Sequence, residues 1–357
     1  MSVHFEKIKI KEIKRETSDC VSIAFDIPEN LKEQFSYKAG QHFTIRALIN
    51  GEEQRRSYSL CSSPLDNQWK IAVKKVENGI FSSYANQQLK AGDTLELMPP
   101  MGHFTIPSNT SDQKKFVAVV AGSGITPVLS IIKTTLATQP DSTFTLVYGN
   151  RSRSSIIFKE EIEALKNKYI NRFSVVHVLS REKTDAVLNQ GRIDHTKCEQ
   201  IFNTVVTKEA DGYFLCGPEE MIFTVRDFLV KEGVAENKIH FELFTTPGQK
   251  SSTTSVKSSD DTGPKSHITV KLDGRSFSFD LAFGSEPILD AALKQGADLP
   301  YACKGGVCCT CKAKLTKGEV DMDVHWGLEH EEIEQGYILT CQSHPRTEFV
   351  EVDFDIK

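Results

Sequence analysis

The sequence predicts a multidomain protein. An antiparallel β-barrel comes first, then an α/β domain on a parallel sheet, then a smaller α+β domain. Three observations predict it. The 357 residues are too many for one ordinary core. The texture changes near residue 110, from short alternating runs to apolar strands interleaved with helical stretches. The segment 246–264, TPGQKSSTTSVKSSDDTGP, has Val256 as its one strong hydrophobe and reads as a flexible linker. The units expected are therefore 1–108, 112–245 and 265–357, with 246–264 joining the last two.

Composition narrows the class. Apolar residues make 39% and charged residues 25%, the balance of a globular protein. The start, MSVHFEKIKIKEIKRETSD, lacks the apolar core of a signal peptide, and no run of 18 apolar residues exists. A cytoplasmic protein with reduced thiols is expected, which argues against disulfides. The net charge of −5 gives no reason to expect nucleic-acid binding. Residues 265–357 carry 10 Lys+Arg against 16 Asp+Glu, so the acidity belongs to the last unit.

In the first unit, HFTIRAL, WKIAVKKV and DTLELMPP alternate and are separated by Gly, Asn and Pro, as antiparallel strands require. RRSYSLCSSP contains R-x-Y-S as Arg56, Tyr58 and Ser59. It resembles the flavin motif of the ferredoxin–NADP reductase family. The chemistry suits each position: an Arg fork for a pyrophosphate, a flat Tyr face for a ring, a Ser hydroxyl for a flavin nitrogen. Downstream, ENGIFSSYANQQL places Gly79, Ser82 and Ser83 at the start of a helix, where phosphate binds well. The family uses a G-x-x-S/T element there for the same pyrophosphate.

In the second unit, KKFVAVVAG leads to a helix near 126–138 and TFTLVYG to one near 155–168. FSVVHVLS, GYFLCG and IHFELF follow, with a helix near 218–232. Strands alternating with helices imply a parallel sheet covered on both faces. VAVVAGSGITPVLSII sets Gly122, Gly124, Thr126 and Pro127 after a strand. G-x-G before a helix suits a pyrophosphate, but Pro127 stands where the dinucleotide fingerprint wants Gly. The match is to the reductase family's G-x-G-x-T-P form, with Pro127 expected near the first helical position. FLCGPEEM matches the family's C-G-P-x-x-M, which puts Cys216, Gly217 and Pro218 near the nicotinamide ring. A buried strand-end thiol is the alternative reading of Cys216.

The second strand of this unit ends VYGNRSRSS, with Arg151 and Arg153 and no acid, and the third ends VLSREKTD, with Ser180 and Arg181. Guanidiniums and hydroxyls suit a 2′-phosphate, so NADPH is the expected nucleotide and Arg181 its first partner. Arg151 and Arg153 fit that role or solvated surface charge equally. In HFELF, Glu242 and Phe244 are candidates for the acid and aromatic that the family places near the flavin.

The third unit carries CKGGVCCTC. Cys303, Cys308 and Cys311 space as C-x4-C-x2-C, and Cys341 follows. This is the plant-type ferredoxin spacing for a 2Fe–2S cluster. A zinc site prefers two C-x2–4-C pairs, and only one exists here. Gly305 and Gly306 let the loop approach the sulfurs closely. Cys309 falls between ligands and is read as a small residue facing the protein.

Residues 265–357 resemble a plant-type ferredoxin domain, a β-grasp fold. The whole order of flavin barrel, nucleotide domain and ferredoxin domain resembles the reductase components of bacterial multicomponent oxygenases. The resemblance implies FAD, a 2Fe–2S cluster and NADPH as substrate. It implies electrons passing from nicotinamide to flavin to cluster and on to a di-metal or other oxygenase component. Ser59 and Cys216 are then expected on the two sides of the hydride contact, with Glu242 beside them. The linker would let the ferredoxin domain swing, and its acidity would steer it to a basic patch. A redox sensor on the same scaffold would need a basic recognition helix, and none is visible.

Overall fold

The structure is a computed structural model and describes residues 4–106, 113–244 and 264–356. The expected linker, Pro264 excepted, lies outside the described residues.

The first sheet contains β1 (Glu6–Thr17), β2 (Cys20–Asp26), β3 (His42–Ile49), β4 (Glu52–Ser59), β5 (Trp69–Lys74) and β6 (Thr94–Leu97), with α1 (Ile80–Gln87) between the last two. Its order is β4-β3-β6-β1-β2-β5, antiparallel throughout. Leu60, just past β4, pairs with Ile71 of β5, so the two edges meet and the barrel closes. Alternation drives it. In β1 the side chains of Ile8 and Ile10 are buried while Lys7 and Lys9 face water.

The second sheet is parallel, in the order β11-β10-β7-β8-β9. Its elements are β7 (Lys115–Ala121), α2 (Ile125–Thr138), β8 (Thr143–Asn150), α3 (Lys159–Lys168), β9 (Phe173–Leu179), α4 (His195–Thr204), β10 (Gly212–Gly217), α5 (Glu219–Lys231) and β11 (Ile239–Leu243). Strand β7 is continuously apolar because both its faces are covered, and Phe116 to Val120 are all buried. The chain runs one way from β7 to β8 and the other way from β10 to β11. The crevice between β7 and β10 is therefore the switch point where open α/β sheets bind ligands. Helix α4 was not anticipated. Its cue was Asp194, whose Oδ1 accepts from the Lys197 N–H at 2.8 Å and caps the helix.

The third sheet is mixed, in the order β13-β12-β18-β14-β16, with β12 and β18 parallel. It comprises β12 (Lys265–Leu272), β13 (Arg275–Ala282), β14 (Lys312–Lys317), β16 (Tyr337–Leu339) and β18 (Phe349–Asp353). Helix α6 (Ile288–Lys294) packs on it. The short pair β15 (Val320–Met322) and β17 (Ser343–Pro345) and the single-turn α7 (His330–Glu334) complete the unit.

The barrel and the parallel sheet share one apolar core. Cys20, Cys61, Ala72 and Phe104 of the barrel pack with Ile131, Phe144 and Phe214. The contacts of the third unit with the first are mostly polar, and they frame the site.

Candidate functional site

One cleft of ≈ 380 Å³ is walled by all three units. The barrel supplies Arg56, Tyr58 and Ser59 from the end of β4, and Gly79 and Ser82 from the start of α1. The parallel-sheet unit supplies Ser123, Thr126, Glu242 and Phe244, and the third unit supplies Cys303, Val307 and Cys308.

Strand β4 delivers Tyr58 half-buried, its ring 5.4 Å from Phe81 of α1. Arg56 donates to the Arg55 carbonyl at 2.6 Å and to Gln54 Oε1 at 3.1 Å, which holds its guanidinium at the cleft. Gly79 is the residue before α1. A Cβ there would lie 2.4 Å from Ser82 Oγ, so only glycine lets that hydroxyl accept from the Val76 N–H at 3.2 Å. Ser83 sits in the same first turn, with its N–H on the Gly79 carbonyl. Small residues and a free helix start form a fit for an anionic pyrophosphate.

Ser59 donates to Glu242 Oε2 at 3.0 Å. Burial, reinforced by the nearby Cys308 thiolate, pushes the Glu242 carboxyl up to about 8 despite that hydrogen bond. His42 Nδ1 lies 3.8 Å from Glu242 Oε1. Burial, with His103 adding to it, holds His42 down at about 4. Both groups are therefore neutral near pH 7, and the contact is not an ion pair. No motif in the sequence marks His42 as part of the site. Its Nε2 has no hydrogen-bond partner among the described residues.

At the switch point, Gly122 takes φ +54 and Gly124 brings the start of α2 against the end of β10. Tyr148 Oη donates to the Gly122 carbonyl at 2.9 Å, and Thr126 Oγ1 to the Ser123 carbonyl at 3.0 Å. The helix begins at Ile125, so Pro127 is the third helical residue rather than near the first. Its missing N–H is still one of the four that lack an intrahelical partner, so the substitution for Gly costs no hydrogen bond. Gly217 has φ +154, and Pro218 precedes α5. Cys216 is fully buried at the end of β10, beside Glu242 of β11, which lines the cleft. The reason for its burial is packing: β7 and β11 flank it in register at Val120 and Glu242, and Gly124 closes on its carbonyl.

The arginines separate. Arg153 pairs with Glu182, its backbone N–H at 2.8 Å and its Nε at 3.4 Å from the carboxylate. Arg151 and Arg181 are exposed and adjacent, joined by the Arg181 N–H on the Arg151 carbonyl, with Ser180 beside them on the Asn150 carbonyl. Neither guanidinium has a carboxylate partner among the described residues.

The cysteines form two pairs. Cys303 and Cys308 sulfurs lie 3.1 Å apart, and the neighbouring Cys341 thiol, with burial, pushes the Cys311 thiol up. The Gly305 and Cys308 N–H groups point at Cys303 Sγ, at 3.3 and 3.4 Å. Gly306 has φ +72, and a Cβ there would meet the Val324 carbonyl at 2.6 Å. A zinc site prefers two C-x2–4-C pairs, and this loop has only one. Two thiol pairs, with N–H groups aimed at a sulfur, fit a two-iron cluster instead. Cys309 is half-buried and faces a second cleft of ≈ 260 Å³ beside His103 and Trp326.

Family models match along the chain: an oxidoreductase FAD-binding domain over residues 7–106, an oxidoreductase NAD-binding domain over 118–227 and a 2Fe–2S iron–sulfur cluster binding domain over 270–346. A subunit of the 1,2-phenylacetyl-CoA epoxidase of Escherichia coli K12 is 43% identical over 99% of this chain and 98% of its own. The chain belongs to the flavin and iron–sulfur reductase components of oxygenases. The ferredoxin reductase component of 3-ketosteroid-9-alpha-monooxygenase from Rhodococcus rhodochrous is 34% identical over 97% of this chain and 96% of its own. Among solved structures, phthalate dioxygenase reductase superposes with a TM-score of 0.60 at 25% identity, covering 98% of each chain. The reductase is thus an NAD(P)H-dependent oxidoreductase with FAD-binding, NAD-binding and 2Fe–2S ferredoxin domains. No described helix is long and apolar enough to cross a membrane.

Proposed function

We propose that the reductase oxidises NADPH and passes the electrons to the oxygenase component of a phenylacetyl-CoA epoxidase. The observation that carries the relay is the single cleft walled by flavin motif, nucleotide turn and cysteine loop. The 43% likeness to a phenylacetyl-CoA epoxidase subunit supports the choice of acceptor. When bound, the flavin supplies the conversion between a two-electron hydride and single electrons, and the cluster supplies a one-electron carrier.

The chain's own residues bind, orient and hold protons. Arg56, Gly79, Ser82 and Ser83 hold the FAD pyrophosphate, and Tyr58 offers its face to the ring. Ser59 orients a flavin nitrogen and shares its proton with the neutral Glu242 carboxyl. Gly122, Gly124, Thr126 and Pro127 seat the nicotinamide nucleotide, with Cys216, Gly217 and Pro218 backing it from the next strand. Arg181, Arg151 and Ser180 take the 2′-phosphate, which favours NADPH over NADH. Cys303, Cys308, Cys311 and Cys341 hold the two irons.

Residues 1–108, 112–245 and 265–357 are the proposed units and 246–264 their connector. The nine free cysteines support a reducing, cytoplasmic setting. The test mixes the purified protein with phenylacetyl-CoA epoxidase oxygenase subunits, NADPH and phenylacetyl-CoA, and follows NADPH oxidation and epoxide together. Coupled turnover that needs this protein is expected. NADPH oxidation without epoxide would reject this acceptor and leave the oxygenases of steroids, alkanes or other aromatics. No NADPH oxidation by protein loaded with flavin and cluster would reject the relay.

A further inference from the structure

Two neighbouring arginines of β4 point opposite ways, as alternate residues of a strand must. Arg56 lines the flavin cleft. Arg55 is 5% exposed and reaches into the ferredoxin unit. Its Nη2 donates to Asp298 Oδ1 at 2.8 Å and its Nη1 to the Leu299 carbonyl at 3.0 Å. Its guanidinium stacks 4.3 Å from the Tyr301 ring, and its Nε is anchored on Glu53 at 2.8 Å. Arg46 adds a longer contact to Asp298 at 3.6 Å. Every one of these ferredoxin contacts falls on residues 298–301, directly ahead of the ligand Cys303. The segment is thus gripped where it enters the cluster loop.

The geometry points to Arg55 as the positioning residue for electron transfer from flavin to cluster: it clamps residues 298–301 to the barrel and so holds the cysteine loop against the flavin cleft. The inference rests on the relay proposed above. Arg55 touches neither cofactor site. It acts through the strap, and through its carbonyl, which accepts from Arg56. The ferredoxin unit has further contacts with the rest of the chain: His4 lies 3.4 Å from Asp273, Val307 packs on the parallel-sheet core, and the contact of Thr44 with Thr310, at 3.1 Å, is buried. His103 meets Glu332 at 3.3 Å, and Phe223 meets Trp326 at 5.3 Å between ring centres. A planar fork with three acceptors and an aromatic face cannot be replaced by an ammonium. Each NADPH oxidised to NADP⁺ and a proton supplies two electrons, so two single-electron passages cross the clamp per turnover. In each, the flavin is oxidised by one electron and the cluster reduced by one.

The test uses the holoprotein with FAD and cluster loaded. Stopped-flow absorbance separates flavin reduction by NADPH from cluster reduction, and hydrogen–deuterium exchange reads docking directly. In Arg55→Ala, cluster reduction should slow at least tenfold while flavin reduction stays within about twofold. Amides of 298–303 should lose protection while those of α2 keep theirs. Arg55→Lys should fall between. Asp298→Ala, at a largely exposed carboxylate, should reproduce part of the loss, and it decides the matter if Arg55→Ala does not fold. Unchanged cluster reduction with unchanged exchange in either folded variant would overturn the clamp. Failure of NADPH to reduce the cluster in the parent would instead overturn the relay.

Discussion

Gly124→Ala puts one methyl group into the tightest backbone contact at the nucleotide turn. An ideal Cβ there lies 2.2 Å from the Cys216 carbonyl oxygen, 2.5 Å from its carbon and 2.9 Å from the Gly217 nitrogen. Its φ is −60, so conformation is no obstacle and the clash is the whole effect. Even a tight carbon–oxygen contact needs about 1 Å more room. Strand β10 cannot yield, because β7 and β11 hydrogen-bond it on both sides. The start of α2 must therefore move, against its buried face and the Tyr148 and Thr126 hydrogen bonds. Overpacking of this kind costs about 1–3 kcal/mol, of which Gly→Ala entropy returns roughly 0.4–1 kcal/mol.

The functional effect should exceed the stability effect. Misplacing a binding element by about 1 Å can slow reaction on the order of a hundredfold. Flavin reduction by NADPH in stopped flow should fall roughly tenfold to a hundredfold, with FAD and iron content unchanged. Gly233→Ala is the control. Its φ of +87 costs stability, but nothing lies within 4 Å of the added carbon, so flavin reduction should match the parent. A Gly124→Ala protein that reduces its flavin within twofold of the parent, and melts with it, would refute the reasoning.

Two further outcomes follow from the site. Glu242 binds a proton when folded that it releases when unfolded between about pH 4.5 and 8. Its contribution to stability is thus intact below that window and lost as pH rises through it. Glu242→Gln should gain on the parent by up to ~1.4 kcal/mol per pH unit across the window, read as melting temperature against pH, whereas a pH-independent difference would contradict a neutral Glu242. Arg181→Ala should raise the KM for NADPH about tenfold or more and leave that for NADH within about twofold, because a charge-assisted phosphate contact is worth roughly 1.5–3 kcal/mol. Equal effects on both nucleotides would remove its 2′-phosphate role.

Much of the fold was legible because its signals are local. An apolar run such as FVAVV reads as a doubly covered strand wherever it lies, and β7 is one. The alternation of EKIKIKEIK marks a one-sided strand, and β1 is one. Helix α4 escaped because HTKCEQIFNT is polar and its apolar residues are few; only the Asp194 cap announced it. The start of α2 differs slightly from expectation because Pro in any of the first positions is equally free of hydrogen-bond cost. Among the arginines, Arg151 and Arg153 look alike in sequence. They part only because Glu182, remote in the chain, folds back onto Arg153.

By itself the sequence determined what contiguous residues can encode: the order of three units, the G-x-G turn, the C-x4-C-x2-C loop and the flavin motif. Tertiary structure alone decided which groups share a dielectric and a wall. It buried Cys216, raised Glu242 and lowered His42, because desolvation depends on what packs from elsewhere in the chain. It also turned Arg55 from a motif neighbour into a clamp, because its acceptors lie 243 and 244 residues away and meet it only when the ferredoxin unit docks.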